Sequence, residues 1–281
     1  MNFEVIDTHV HLYPDKIAEK VTGVLSRKFG NPPAFVATVA SCAAFAEKSE
    51  IPLSINLPVA TSPDQVEPIN RWAKGIQDPH ILSLAALHPD SENRAAIIER
   101  LAADGFRGIK FHPEYQLFRF NEPRMNEVWE AMSATGLVAY LHAGGERVFE
   151  PPFHSSPREV AELSRRFPKL KIAAAHLGGF QMWDETEREL CGADVYLDLS
   201  HALLWMPDEQ LMRIVRKHGV ERILFGSDAP WQDPRDVLAA FLKLPFSEDE
   251  RRLILSANAR RLFNVKNKRK ETKYEEVSAD G

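Results

Sequence analysis

Eight short apolar runs, each followed by a stretch of helical spacing, constrain this chain of 281 residues more than any other feature. They span 5–12, 51–60, 81–87, 106–111, 137–141, 170–175, 194–199 and 222–226. Such near-continuous runs suit parallel strands buried on both faces better than strands with one wet face. After the first run, a helix from Asp15 carries Ile17, Val21 and Leu25 on one side and breaks at Asn31-Pro32-Pro33. A second helix is expected from Ala34 to Lys48. Others run through Trp72 and Ile76 and over 91–103, 121–135, 157–167, 181–190, 207–218, 234–242 and 248–263. Strand followed by helix, eight times, reads as an α/β chain folded into a distorted, single-domain (β/α)8 TIM barrel over residues 1–263. The competitor is an open doubly wound sheet. Its dinucleotide-binding form needs a Gly-rich turn after the first strand, where this chain has His9-Val10-His11.

Composition narrows the classes of function. A formal net charge of −5 and the lack of a basic stripe argue against a nucleic-acid partner. No apolar run reaches membrane-spanning length, and Met1–Glu4 does not begin a secretory signal, so a soluble cytoplasmic protein is expected. Cys42 and Cys191 are too few to staple the chain and fit a reducing compartment. Residues 264–281 turn polar without apolar periodicity, the pattern of a disordered tail. A homodimer is the base-rate expectation for oligomeric state.

The histidines supply the functional signal. Active sites of such barrels sit at the C-terminal ends of the strands. His9, His11, His88, His112, His142 and His176 all fall at expected strand ends, and His201 follows the seventh strand. His9 and His11 lie two apart in extended chain and so point to one side. Asp228, at the end of the eighth strand, neighbours the first strand once the barrel closes. His9, His11, His142 and Asp228 then make an open site of three imidazoles and one carboxylate, a donor set that suits a divalent cation. A cation there would bring the pKa of a bound water toward neutrality. Singly, each residue is explained as a hydrogen-bonded histidine or a capping aspartate; as a set on separate strand ends they are not.

These residues carry a family resemblance. D-T-H-V-H at the first strand, G-I-K-F-H-P at the fourth, L-H-A-G-G at the fifth, A-H-L-G-G at the sixth and G-S-D-A-P-W at the eighth resemble the amidohydrolase superfamily. The similar subgroup holds metal-dependent hydrolases together with aminocarboxymuconate-semialdehyde decarboxylase and the resorcylate decarboxylases. The resemblance implies that His9, His11, His142 and Asp228 ligate one metal, zinc by preference or manganese. It also implies that His176 is an acid/base beside it. Binuclear members place a carboxylated lysine or a glutamate on the fourth strand. Here Lys110 and His112 share that side, with Glu114 just outside. Lys110 is expected to pair with a carboxylate inside the barrel, its carboxylation being the alternative; His112 is expected to contact substrate.

His88 divides evenly between a structural hydrogen bond and a pocket wall. Arg147 could anchor a substrate carboxylate through a bidentate pair, against a plain surface salt bridge. Trp183, Trp205 and Trp231 are candidates for the pocket wall or for packing. Gly178 and Gly179 are expected to permit close backbone approach. The leading expectation is a metal-dependent hydrolase acting on an ester, lactone or amide of a small carbonyl substrate, with Asp228 and His176 handling the proton. The alternative is a non-oxidative decarboxylase of an aromatic or unsaturated acid using the same metal. A non-catalytic scaffold would have lost a ligand, and none is missing.

Overall fold

A computed structural model describes residues 3–266. The expected polar tail lies outside the described residues except for Asn264, Val265 and Lys266, and Val265 packs against the barrel interior. Strands β1 (Ile6–Val10), β2 (Leu53–Asn56) and β3 (Ile81–Ser83) form one parallel sheet in that order. Strands β4 (Ala85–Ala86), β5 (Gly108–Phe111), β6 (Val138–Leu141), β7 (Ile172–Ala174), β8 (Tyr196–Asp198) and β9 (Ile223–Leu224) form a second, also parallel. β3 and β4 are two pieces of the expected third strand, separated only by Leu84, whose N–H donates to Asn56 O at 2.9 Å. At the other seam, Thr8 N–H donates to Phe225 O at 3.0 Å, Asp228 N–H to His9 O at 2.8 Å and His11 N–H to Ala229 O at 2.7 Å. The first strand thus meets the segment after the last, and the expected distorted barrel results.

Two apolar layers hold it. Inside lie Ile6, Ile55, Leu84, Val138, Tyr140, Ala173 and Leu224, and the final helix Asn258–Phe263 packs Ala259, Leu262 and Phe263 against them. Outside, the strands pack on the helices around Phe111, Trp129, Leu163, Ile214 and Phe241. Each such side chain contributes roughly 1.5–3 kcal/mol through burial. Among the described residues, no helix is long and apolar enough to cross a membrane.

Several expected elements are trimmed by local chemistry. The helix expected from Ala34 begins at Val39, because the Thr38 side chain accepts Ser41 N–H at 3.0 Å and caps it there. The helix expected over 181–190 is a short turn, Trp183–Glu185, continued by a wider π turn over Thr186–Leu190. Two short helices, Pro113–Gln116 and Ala202–Trp205, follow β5 and β8. Along β1 the pairing with β2 slips between Asp7 and Val10. The slip reverses which side chains face inward, so Ile6 joins the interior while Val10 packs outward with Leu12 and Cys42. His9 and His11 are thereby turned to the barrel mouth.

Candidate active site

The site is assembled from strand ends that the closed barrel brings together. Asp7, two residues before the first histidine, locks the seam: its Oδ1 accepts His9 N–H at 3.1 Å and Ser227 N–H at 2.9 Å. Burial pushes its carboxyl up to about 7 against these hydrogen bonds. The imidazoles then fall into order through their outer nitrogens. Carbonyl and carboxylate oxygens only accept, so each contact assigns a ring proton. His9 Nδ1–H donates to Asp198 Oδ2 at 2.8 Å, and His11 Nδ1–H to Leu57 O at 3.0 Å. His142 Nε2–H donates to Gly145 O at 2.8 Å, and His176 Nδ1–H to Ser200 Oγ at 2.8 Å, because the Ser200 hydroxyl gives its own proton to Asp198.

What remains on each ring is a lone pair facing another. His9 Nε2 lies 3.3 Å from His11 Nε2, and His142 Nδ1 lies 3.2 Å from His176 Nε2. Asp228 Oδ1 sits 3.1 Å from His11 Nε2 and 3.4 Å from His9 Nε2, buried and without a hydrogen-bond donor. Four lone pairs and an anionic oxygen crowded in this way repel one another unless a cation stands among them. Separations of 3.1–3.4 Å are also close to the spacing, ~3.4 Å, between donors bonded at ~2.1 Å with tetrahedral angles. The donor set therefore fits a divalent metal ion.

The expected ligand set is brought together in part directly and in part through His176. His9, His11 and Asp228 are in mutual contact. His142 meets His176, and no contact of hydrogen-bond length joins it to the other three among the described residues. His9, His176 and Asp228 form a buried group whose donor atoms lie within 4.8 Å of one another. Burial holds His9 down to about 4, with Lys110 adding to the effect, and holds His142 and His176 well below the usual imidazole range. These downward shifts favour the neutral imidazole, the form in which a histidine can ligate a metal.

Lys110 is fully buried, with Nζ 3.5 Å from His9 Nε2 and 5.0 Å above the Tyr140 ring. The expected carboxylate partner is not within ion-pair distance among the described residues, and the ammonium instead leans on an imidazole. Burial lowers it to about 8, opposed by Asp198, Asp228 and Glu146. His112 stacks on His142 at 3.9 Å and 13°, and its Nε2 lies 3.6 Å from Glu146 Oε2. His112, His142 and Glu146 lie close enough to suggest a second cation site. Nearly parallel rings, however, aim their in-plane lone pairs side by side and not at a common point. Glu114 is engaged elsewhere, with Oε2 2.9 Å from His154 Nδ1.

The remaining candidates separate cleanly. His88, evenly divided between a structural hydrogen bond and a pocket wall, makes the hydrogen bond: Nδ1 accepts Asp90 N–H at 3.1 Å, and the ring is not part of the cavity lining. Arg147 lines the cavity with its guanidinium 4.6 Å from the Trp205 ring. No carboxylate lies within ion-pair distance of it among the described residues, so the surface salt bridge is not what holds it. Trp183 Nε1–H donates to His176 O at 3.0 Å and braces the site from behind, whereas Trp231 lines the cavity. Gly178 approaches the side chains of Leu190 and Leu197, not backbone. The backbone-to-backbone approach belongs to Gly144, at φ +83°, where a Cβ would stand 2.4 Å from Phe180 N.

Two residues escaped the sequence. Asp198 Oδ1 accepts His176 N–H at 3.0 Å and Ser200 N–H at 2.9 Å, while its Oδ2 accepts Tyr140 O–H at 2.6 Å as well as His9. Ser200 O–H donates to the same carboxylate, so Asp198 fixes His9 directly and His176 through one hydroxyl. The available signal was a lone carboxylate inside the apolar run V-Y-L-D-L. His201, placed after the seventh strand by the sequence but given no role there, donates to Asp228. Non-glycine residues at positive φ gather around the site, at His176, Leu177, Gln181, His201 and Asp228; such conformations cost of order 1–3 kcal/mol each. Above them opens a cavity of about 690 Å³, with His9, His11, Lys110, His112, His142, His176, His201 and Asp228 at its base. Its walls are largely apolar, with Ile17, Val21, Leu25 and Phe29 of the helix Asp15–Phe29 on one side and Ile69 and Trp72 beside them.

A family model described as amidohydrolase matches residues 6–265. Among solved structures, the fold is similar to that of 5-carboxyvanillate decarboxylase from Sphingomonas paucimobilis (16% identity, 94% of this chain and 100% of that one, TM-score 0.73). It is similar to dihydroxybenzoic acid decarboxylase from Polaromonas sp. JS666, which holds manganese and the inhibitor 2-nitroresorcinol (18% identity, 94% and 97%, TM-score 0.71). It also resembles a probable 2-pyrone-4,6-dicarboxylic acid hydrolase from Acinetobacter baumannii with citric acid bound (17% identity, 94% and 100%, TM-score 0.64). No curated protein matches the chain.

Proposed function

The chain belongs to the amidohydrolase family, whose members are enzymes that use a divalent metal, and from that premise we propose that it is a metal-dependent hydrolase of a small ester, lactone or amide. The observation that carries this reading is the set of inward lone pairs around an Asp228 oxygen that has no donor. His9, His11, His142 and Asp228 would hold the ion, with zinc suited to the nitrogen-rich set. When bound, it supplies Lewis acidity, polarising a carbonyl oxygen and bringing the pKa of a water toward neutrality.

The chain's own residues do the rest. His176 Nε2, an unprotonated acceptor turned toward the cluster, takes the proton that the attacking water gives up and returns it to the leaving atom. Its transient charge is offset by buried Asp198 through the Ser200 hydroxyl. Asp228, which has a carboxylate oxygen within 4.8 Å of a His176 ring nitrogen, is the second acceptor for that proton. Arg147 anchors an anionic end of the substrate, and Lys110 and His112 contact its polar part at the cavity base. The apolar walls exclude water from the rest.

Decarboxylation is the second reading, favoured by the names of two of the similar structures. There His176 Nε2, having first taken up a proton from the substrate's acidic group or from water, would deliver it to the carbon that loses CO2. His142→Ala and Asp228→Ala should each remove metal and activity together, as measured by elemental analysis and turnover; a fully active, metal-free variant would sink both readings. Acid release from lactones and esters, set against CO2 trapped from aromatic acids, decides between them.

A further inference from the structure

His201 stands at the first turn after β8, and its ring does something that no ligand assignment accounts for. Its backbone N–H donates to Gln232 Oε1 at 3.2 Å, and the residue is held at φ +58°. The ring packs among His176, Phe180 and Trp205, with centroids 5.1, 5.2 and 5.8 Å away. Nε2 reaches Asp228 Oδ2 at 2.7 Å, the short distance of a charge-assisted hydrogen bond. A carboxylate only accepts, so the proton is on Nε2. Nδ1 is then a buried lone pair without a partner. The other tautomer would bury an orphan N–H there and set a lone pair against the carboxylate, so the arrangement is fixed twice over.

The consequence lies on the far side of the carboxylate. With Oδ2 occupied, only Oδ1 faces His9 and His11. We infer that His201 is a positioning residue, one that holds Asp228 so that a single oxygen is offered to the imidazole cluster and thereby tightens the site's grip on its cation. The inference rests on the metal-dependent reading above. Outer partners of this kind are typically worth 10–100-fold in metal affinity. A loosened carboxylate would swing to present either oxygen or both.

Two variants separate the hydrogen bond from the packing. His201→Gln loses the ring but carries an amide N–H to about the reach of Nε2, whereas His201→Phe keeps a ring and loses the donor. Both share the backbone strain at this position, and thermal unfolding confirms that each is folded. Affinity for Zn2+ and for Mn2+ is read by competition with a chromogenic chelator, and the Co2+-loaded proteins are compared by visible absorption, which reports coordination number. The expected result is that His201→Phe binds 10–100-fold more weakly with a changed Co2+ band, and that His201→Gln recovers most of both. Wild-type affinity in His201→Phe, equal losses in the two variants, or a tighter Phe than Gln variant overturns the inference. A wild-type protein that retains none of the three ions overturns the metal-dependent reading itself, and the inference with it.

Discussion

Replacing Asp198 by Asn alters one atom of a buried carboxylate and should move a proton in the ring of its neighbour. Oδ1 receives two backbone donors, from His176 at 3.0 Å and Ser200 at 2.9 Å. Placing the amide NH2 there would leave both donors facing another donor, at about 1–3 kcal/mol each, or roughly 2–6 kcal/mol together. The amide must therefore put its oxygen at that position and its NH2 at the other, facing His9 Nδ1 and Tyr140 Oη. Tyr140 can turn its hydroxyl to Thr8 Oγ1, 3.3 Å away, and accept. His9 can accept only by giving up the Nδ1 proton, which passes to Nε2. That N–H then points at Asp228 Oδ1 and His11 Nε2, 3.4 and 3.3 Å away, where the lone pairs had converged. One ligand is lost, and the expected affinity for Zn2+ falls by about 10–100-fold, or roughly 1.4–2.7 kcal/mol. Every buried donor still finds an acceptor, so the thermal midpoint should move little. Asp198→Ala, by contrast, strands at least four donors and should cost at least about 4 kcal/mol. The tautomer is read in the metal-free protein from long-range proton–nitrogen correlations of the imidazole rings, and affinity from chelator competition. A protonated Nδ1 on His9 in Asp198→Asn, with affinity within twofold of wild type, would refute the reasoning.

Other expectations follow from single contacts. Arg147→Met should raise KM for an anionic substrate about tenfold to a hundredfold, the equivalent of a charged hydrogen bond worth about 1.5–3 kcal/mol, with a smaller change in kcat. A KM that stays put for anionic substrates would remove Arg147 from substrate binding. His218 lies outside the site, where Nε2–H donates to Val195 O at 2.9 Å and Nδ1 accepts Gly192 N–H at 3.3 Å. Burial lowers it to about 4 from 6.5, so only the unfolded chain takes up its proton between those values. The stability it contributes is complete above pH 6.5 and drains away as pH falls toward 4, by up to about 3 kcal/mol. Urea midpoints of wild type and His218→Gln should converge as the pH is lowered through that window; parallel curves would show that the ring does not titrate there.

The barrel and the donor types were legible because they are written in local patterns. Apolar runs of strand length, separated by helical spacing and Gly or Pro breaks, leave little besides a closed parallel sheet. Histidines at the ends of those runs mark the chemical face of such a barrel without any knowledge of contacts. His88 shows the limit of that logic, since a strand-end position says where a side chain begins and not where it points. Its Nδ1 went to a nearby backbone N–H, a partner too local to leave a trace in spacing.

By itself, then, the sequence determined the architecture, the chemical nature of the donors and the neighbourhood of His9 and Asp228 across the seam. Tertiary structure alone decided which nitrogen of each ring faces inward, because that depends on acceptors supplied by distant segments, at Leu57, Asp198 and Ser200, and on how the loop after His142 turns the Gly145 carbonyl back onto its ring. It decided that β1 slips in register, which side-chain alternation cannot announce because a bulge reverses it midway. It also placed Asp198 behind His9, His201 behind Asp228 and the apolar face of the helix Asp15–Phe29 above them. Their meaning lies in which groups they meet, and a linear chain specifies those meetings only once it has closed.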